Sequence, residues 1–232
     1  ALSVTLDESE GADRAAVGET ASGNTDDAGP GLGQVTTALA GGLTSLFAAV
    51  GGSYGADGAG TTTALLGFAA FPDDGGLATN LRAIDGGAIT LERTSDTLLS
   101  GVDEDGHTVF TIAIVGNQLQ TTLFEALEHP DSARFDEALQ LQLVEDGAVQ
   151  LQYTVTRVDA DGDSVTESAT VDLIAHAGGN GEGEDGPRDT SYFSFEDDGP
   201  SVQIAAEVSE AEQAALSVTL DESEGADRAA VG

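Results

Sequence analysis

Alternation of apolar and polar residues, interrupted by glycine and aspartate, constrains this chain more than any other sequence feature. Leu139, Leu141 and Leu143 fall on one face of the run ALQLQLV, and glutamines fall on the other. Similar runs are VFTIAI at 109–114, LQYTVTRV at 151–158, SATVDL at 168–173 and SYFSFE at 191–196. Period-two alternation between turn residues is typical of antiparallel strands with one buried face. The sequence therefore predicts an all-β fold, an antiparallel β-sandwich with at most one or two short helices.

The best helical candidate is the stretch TTLFEALEHPDSARFDEA at 121–138. Pro130 lies inside this stretch, and proline removes a helical hydrogen bond, so any helix here is short. The first hundred residues are rich in glycine and show weaker periodicity, which makes their strands harder to delimit from sequence.

The same eighteen residues, ALSVTLDESEGADRAAVG, stand at 1–18 and again at 215–232. An identity of this length predicts a tandem array whose units start 214 residues apart, at positions 1 and 215. We expect one repeat at 1–200, built as one sandwich or as two β subdomains that meet near residue 100. Residues 201–232 are then the start of the next repeat, with Pro200 near the seam.

The net charge of the chain disfavours anionic partners and favours a bound cation. The chain has 42 Asp and Glu residues against 7 Lys and Arg, a net charge of −35, and no cysteine. Such a charge repels phosphate, so nucleic acid and anionic membranes are poor partners. A chain without cysteine cannot be cross-linked by disulfides. Its many carboxylate oxygens are the ligands that Ca²⁺ prefers, so a bound ion can take that role. We expect Ca²⁺ as the cofactor; the alternative is the solvated acidic surface of a halophile, without specific ion sites.

The sharpest motif is DADGDS, which places Asp159, Asp161 and Asp163 in a tight turn between two strand patterns. Carboxylates at alternating positions can converge on one cation, and Gly162 permits the sharp bend. The motif is not an EF-hand, because its twelfth position is Thr170 where a bidentate glutamate is needed. Two interpretations stay open: a calcium-binding hairpin turn, or an acidic turn without an ordered ion.

A second acidic motif, FEDDGPSV at 195–202, contains Glu196, Asp197 and Asp198 before a Gly-Pro strand ending. If the repeat closes here, these carboxylates lie at the boundary between neighbouring units. There they can share an ion with acids of the LDESE motif, Asp7 and Glu8 in the first copy. The alternative is an ordinary polar turn.

A third motif, VDEDGH, offers Asp103 and Asp105 before Gly106. Two carboxylates alone rarely complete the six to eight oxygen ligands of Ca²⁺, so a solvated turn is the favoured interpretation. Motifs of metalloproteases, nucleotide-binding enzymes and cysteine nucleophiles are missing: the chain has no HExxH, no Walker loop and no cysteine, and its three histidines are far apart in sequence. The sequence therefore predicts a protein without enzymatic activity.

Several of these segments together carry a family resemblance. LSVTLDESEG, the run from LFEALEHPD to DEALQLQL, TVTRVDADGDSVTESATVDL and FSFEDDGPSV stand in order along the 214-residue period. In this order and spacing the chain resembles the long extender repeats of giant RTX adhesins. The resemblance implies a β-sandwich of the immunoglobulin-like or extender type, stabilised by Ca²⁺ at the DADGD and EDD motifs. It also implies type I secretion and a place on the surface of a Gram-negative bacterium.

The function expected on these grounds is mechanical. The chain would be a spacer repeat that projects a distal ligand-binding region from the cell for adhesion and biofilm formation. Its partners would be neighbouring repeats of the same chain, each a monomeric unit, with no nucleic acid and no insertion into a membrane. Two other classes stay open: a ligand-binding adhesin module and an acidic extracellular enzyme acting on polysaccharides.

Overall fold

The computed structural model describes residues 2–8, 30–72, 75–130, 137–176 and 191–197, together with residue 204. The chain divides into two compact units, Ala1–Gly199 and Pro200–Gly232, and the structure below is that of the first unit. The assignment of 1–200 to one repeat and of 201–232 to the next stays a prediction.

The described residues form twelve strands and one short 3₁₀ helix at Leu43–Leu46. The strands are β1 Val4–Asp7, β2 Gly33–Thr36, β3 Ala59–Ala69, β4 Leu77–Ala83, β5 Gly87–Ser95, β6 Leu98–Val102, β7 Thr108–Val115, β8 Gln118–Leu123, β9 Ala138–Gln140, β10 Ala148–Asp159, β11 Ser164–Ala175 and β12 Phe193–Glu196. The predicted all-β, sandwich-like fold is confirmed. Within the described ranges, no helix has the length and apolarity needed to cross a membrane.

The largest sheet has six strands in the order β2-β8-β7-β6-β5-β4, each antiparallel to its neighbour. Consecutive strands from β4 to β8 pair with each other, so short turns determine most of this sheet. Gly116 and Asn117 form the two-residue turn between β7 and β8, with φ of 56° and 68°. Positive φ at both central residues is what a tight hairpin with matching strand twist requires. Phe110 and Ile112 of the predicted VFTIAI strand are fully buried.

A second sheet joins three long strands in the order β11-β10-β3, all antiparallel. At one end of the sheet Leu151 and Leu173 are fully buried. At the other end β11 is exposed from Ser164 to Thr170, so the β10–β11 hairpin projects into solvent. The alternation predicted for both strands therefore buries side chains over only part of their length.

A third sheet has the order β1-β12-β9, and its first pair is parallel. Val4 lies opposite Phe193 and Asp7 opposite Glu196, whereas β9 pairs with β12 in the antiparallel direction. This parallel pair departs from the antiparallel prediction, because no hairpin connects two strands so far apart in sequence. The pairing brings the ends of segments 6–8 (LDE) and 195–197 (FED) to the same edge of this sheet.

One hydrophobic core includes side chains from all three sheets. The rings of Phe110, in the six-stranded sheet, and Phe195, in the β1-β12-β9 sheet, have centroids 5.3 Å apart. Phe47, which follows the 3₁₀ helix, packs on Tyr153 of β10 with a centroid distance of 5.2 Å. The contact between Phe110 and Phe195 anchors β12, and with it the acidic residue that follows, to the six-stranded sheet.

The helix predicted over 121–138 is wrong for the residues that the structure describes there. Thr121–Leu123 continue strand β8, and Leu127 forms an isolated bridge with Ala83. Thr121 and Leu123 are fully buried between two neighbouring strands, so tertiary pairing overrides local helix propensity. Residues 131–136 lie outside the described part of the chain.

Candidate metal centres

Among the residues that the structure describes, three groups of acidic and histidine side chains have ligand atoms within 4.8 Å of one another and can hold a metal ion. We call them by their place in the fold. The hairpin cluster is Asp57, Asp159 and Asp161; the strand-end cluster is Glu8, His129 and Asp197; and the turn cluster is Asp103, His107 and Glu125.

The hairpin cluster is built on the turn between β10 and β11. Oδ1 of Asp159 accepts the backbone N–H groups of Gly162 at 3.1 Å and of Asp163 at 2.9 Å. Gly162 has φ of 105°, which a residue with a Cβ rarely adopts. The contact with the Asp161 side chain, followed by these amides, lowers the pKa of Asp159. Carboxylate oxygens of Asp159, Asp161 and Asp57 lie within 4.8 Å of one another.

The third member of the hairpin cluster comes from a different strand. Asp57 precedes β3, which pairs with β10 so that Ala59 lies opposite Asp159, and Ala160 N–H donates to the Gly58 carbonyl at 3.2 Å. The structure thus brings Asp159 and Asp161 together with Asp57, whereas Asp163 lies outside the group. Asp163 lines a cavity of about 160 Å³ beside Ser53, Tyr54 and Arg157.

The strand-end cluster follows from the parallel pairing of β1 with β12. Glu8 N–H donates to the Glu196 carbonyl at 3.1 Å, which continues the ladder by one residue. Oε1 of Glu8 accepts the Leu127 amide at 2.9 Å and lies 3.5 Å from Nε2 of His129. The side chains of Glu8 and His129 are 4% and 2% exposed, so the pair is buried.

Burial and charge act against each other in this cluster. Burial raises the pKa of Glu8, more than its contacts with His129 and Leu127 lower it. For His129 burial favours the neutral ring, but the nearby carboxylates of Glu8, Asp197 and Glu137 outweigh burial and raise the pKa. Neither ring nitrogen of His129 has a hydrogen-bond partner among the described residues. The buried imidazole of His129 therefore lies in the field of three acidic side chains, those of Glu8, Asp197 and Glu137.

Of the acids predicted at this edge, the structure brings Glu8 and Asp197 together. Glu196 of β12 pairs with Ala138 of β9, and its carboxylate is not in the cluster. The Asp7 side chain and the whole of Asp198 lie outside the described part of the chain. His129 was missed by sequence reasoning, although the EHPD motif that contains it was visible.

The turn cluster surrounds Asp103, which follows β6. Its Oδ1 accepts the amides of Asp105 at 3.0 Å and of His107 at 2.8 Å. Its Oδ2 is buried, lies 3.5 Å from Nδ1 of His107, and has no hydrogen-bond partner in the described ranges. Burial raises the pKa of Asp103, but the amides and the His107 ring lower it further, so the net shift is downward.

Asp105, predicted with Asp103 as a weak pair, is exposed and contributes its amide rather than its carboxylate. Glu125, which follows β8, completes the cluster instead. No sequence signal links Glu125 to Asp103, because their approach depends on how β8 leaves the sheet.

The fold and these clusters define an acidic, all-β unit with candidate cation sites at the ends of its strands. The chain belongs to the family described as Domain of unknown function (DUF5801), whose model matches residues 3–173. The match spans β1 to β10 and most of β11, and it includes every member of the three clusters except Asp197. No curated protein and no solved structure matches the chain.

Proposed function

We propose that this chain is a calcium-stabilised spacer repeat of a large bacterial surface adhesin. The observation that carries the proposal is the identity of residues 1–18 with residues 215–232. Tandem units that repeat without variation suit a structural role, since each unit needs to contact only its neighbours. The resemblance to RTX adhesin extenders adds type I secretion, a place on the surface of a Gram-negative cell, and a function without turnover.

The hairpin cluster supports Ca²⁺ as the stabilising ion. All three of its side chains are carboxylates, and Asp57 and Asp161 are exposed, so an ion can enter directly from solvent. Hard oxygen ligands select Ca²⁺ over softer metals, and backbone carbonyls and water complete its coordination. A bound ion would join the β10–β11 turn to the chain that enters β3, two segments about a hundred residues apart in sequence.

Bound Ca²⁺ would also help a secreted array to fold after export. A cysteine-free chain with a net charge of −35 repels itself, and each bound divalent cation offsets part of that repulsion. At a free concentration ten times Kd, one independent site adds about 1.4 kcal/mol to stability. Folding would therefore be favoured outside the cell, where Ca²⁺ is abundant.

Small-angle scattering of a protein with two complete repeats tests the spacer function. We expect a longer and better-defined maximum dimension with about 2 mM Ca²⁺ than with chelator, because bound ions stiffen an otherwise self-repelling array. Mg²⁺ at equal ionic strength is the control for charge screening. Identical, flexible profiles in all three conditions, with circular dichroism showing each repeat folded, would contradict a calcium-stiffened spacer.

A ligand-binding adhesin module is the second candidate, and one groove favours it. The groove, about 320 Å³, lies on the β10–β11 sheet and is lined mainly by apolar side chains, including Phe47, Tyr153 and Val165. Such a surface suits an apolar peptide segment of a receptor. Saturable binding of a selected peptide, lost in Val165→Ser while the melting temperature stays within about 2 °C, would favour this function over the spacer.

A further inference from the structure

We propose that the strand-end cluster of Glu8, His129 and Asp197 is a second cation site that selects a transition metal of the zinc class rather than Ca²⁺. The proposal is independent of the spacer function, since it concerns the chemistry of one unit.

The first observation is the buried ring of His129. Its side chain is 2% exposed, and neither Nδ1 nor Nε2 has a hydrogen-bond partner among the described residues. Leaving a buried polar group unsatisfied costs about 1–3 kcal/mol, so such groups are rare and call for an ion or a water. A metal bound through one ring nitrogen would satisfy that nitrogen.

The second observation is the distance between Glu8 and His129. Oε1 and Nε2 lie 3.5 Å apart, which is longer than a good hydrogen bond between these groups. Two ligands of one tetrahedral zinc ion, each about 2.0–2.2 Å from the metal, lie about 3.3–3.5 Å apart. The pair is therefore spaced as ligands of one ion, and Asp197 offers a third ligand atom within 4.8 Å of both.

Ligand type distinguishes this cluster from the hairpin cluster. Imidazole suits zinc, copper, iron and nickel, whereas Ca²⁺ takes oxygen ligands. The charges that face His129 are those of Glu8, Asp197 and Glu137, and they favour a cation at this position. A proton on the ring meets the same electrostatic preference. Zinc and protons must then compete for the same site.

The site would also connect three distant parts of the chain. Glu8 follows β1, His129 lies in the segment after β8, and Asp197 follows β12. A metal that joins them closes two long loops of chain, which is the case in which a clip removes most entropy from the unfolded state.

Zinc binding to the chelator-treated full chain tests the proposal, with about 5 mM Ca²⁺ present throughout to occupy oxygen-only sites. We expect Zn²⁺ to raise the melting temperature and Co²⁺ to give the intense visible spectrum of tetrahedral coordination. His129→Gln and Glu8→Gln should each weaken Zn²⁺ binding at least tenfold. Glu222→Gln is the matched control, since it removes the same charge from the same local sequence in the second copy and should leave binding unchanged.

Competition with protons keeps the proposal testable if a variant fails to fold. Zn²⁺ affinity of the unaltered chain should rise as pH rises through the range in which His129 loses its proton. Zn²⁺ binding that is independent of pH between about 5.5 and 8, or an octahedral Co²⁺ spectrum, would overturn the proposal. Equal Zn²⁺ affinity in His129→Gln would also overturn it, because the metal would then be held by surface carboxylates.

Discussion

The hairpin cluster and the strand-end cluster use the same carboxylate chemistry in opposite surroundings. Asp57 and Asp161 of the hairpin cluster are exposed, and backbone amides satisfy one oxygen of Asp159. Glu8 and His129 of the strand-end cluster are buried, and the histidine ring has no hydrogen bond among the described residues. An exposed site can stay charged without an ion, whereas a buried one needs a proton or a metal.

Because of this difference in burial, the two clusters affect the stability of the fold in different ways. Water screens the exposed carboxylates, so the β10–β11 hairpin forms with or without a cation, and an ion adds a modest increment. Desolvation makes the buried pair sensitive to its protonation, so its state is coupled to folding itself. The predictions below test this contrast in order of decreasing effect.

Removing the core support of the strand-end cluster should have the largest effect. Phe195 is fully buried on β12, packs on Phe110, and lies two residues before Asp197. We expect Phe195→Ala to reduce the free energy of unfolding by about 3–5 kcal/mol, because a large cavity opens. Val165→Ala, beside the exposed hairpin turn, should change it by less than about 0.5 kcal/mol. Urea denaturation measures both, and comparable losses would contradict the contrast between buried and exposed regions.

A substitution at the turn cluster should reduce the free energy of unfolding by an intermediate amount. A Cβ on Gly86 would clash with Oδ2 of the buried Asp103. Gly86→Ala must therefore displace Asp103 and its two amide hydrogen bonds, at a cost of about 1–3 kcal/mol. The matched control is Gly106→Ala: that glycine has open space around it and φ of 87°, so it isolates backbone strain from steric clash. A smaller loss for Gly86→Ala than for Gly106→Ala would mean that Asp103 is free to move.

The pH dependence of the metal-free protein should be smaller but specific to the buried pair. The pKa of Glu8 is raised from 4.5, and that of His129 is raised from 6.5. Each contribution to stability is full below the unfolded value and is lost as pH rises through the folded value. The free energy of unfolding should therefore fall as pH rises through these two windows.

Chemical denaturation between pH 4.5 and 9 measures this slope, and His129→Gln should flatten its upper part. Zinc should do the same, because it replaces the proton that is lost. A slope of the same size in His129→Gln would assign the effect to other groups. Asp103 acts in the opposite direction: its pKa is lowered from 3.8, so its contribution is lost only as pH falls below that value.

Local patterns in the sequence predicted much of the fold and part of the clusters. Alternation placed Phe193, Phe195 and Leu151 on buried faces, where the structure has them. The same kind of local signal identified Asp159 and Asp161, since neighbours in one turn stay neighbours in space. The helix predicted over 121–138 failed at residues 121–123 because they pair with β7 and β2.

The missed residues share one physical reason. Asp57 meets Asp159 through the register between β3 and β10. His129 meets Glu8 in a segment whose Leu127 amide donates to the same carboxylate. Register between distant strands depends on the whole packed core, and a single sequence carries no local signal for it. The parallel pairing of β1 with β12 could not be predicted for the same reason, because no hairpin turn joins these two strands.

Thermal melting with and without Ca²⁺ is the most direct test of calcium-dependent stability at the hairpin cluster. The unaltered chain and Asp163→Asn should both melt at least about 3–6 °C higher with millimolar Ca²⁺ than with chelator, since the hairpin site alone would add about 1.4 kcal/mol at ten times Kd. Asp159→Asn combined with Asp161→Asn should lose about 3–6 °C of that increase, as expected for one site of about 1.4 kcal/mol. Equal melting temperatures in Ca²⁺ and chelator, or an equal loss in Asp163→Asn, would contradict a calcium site built from Asp57, Asp159 and Asp161.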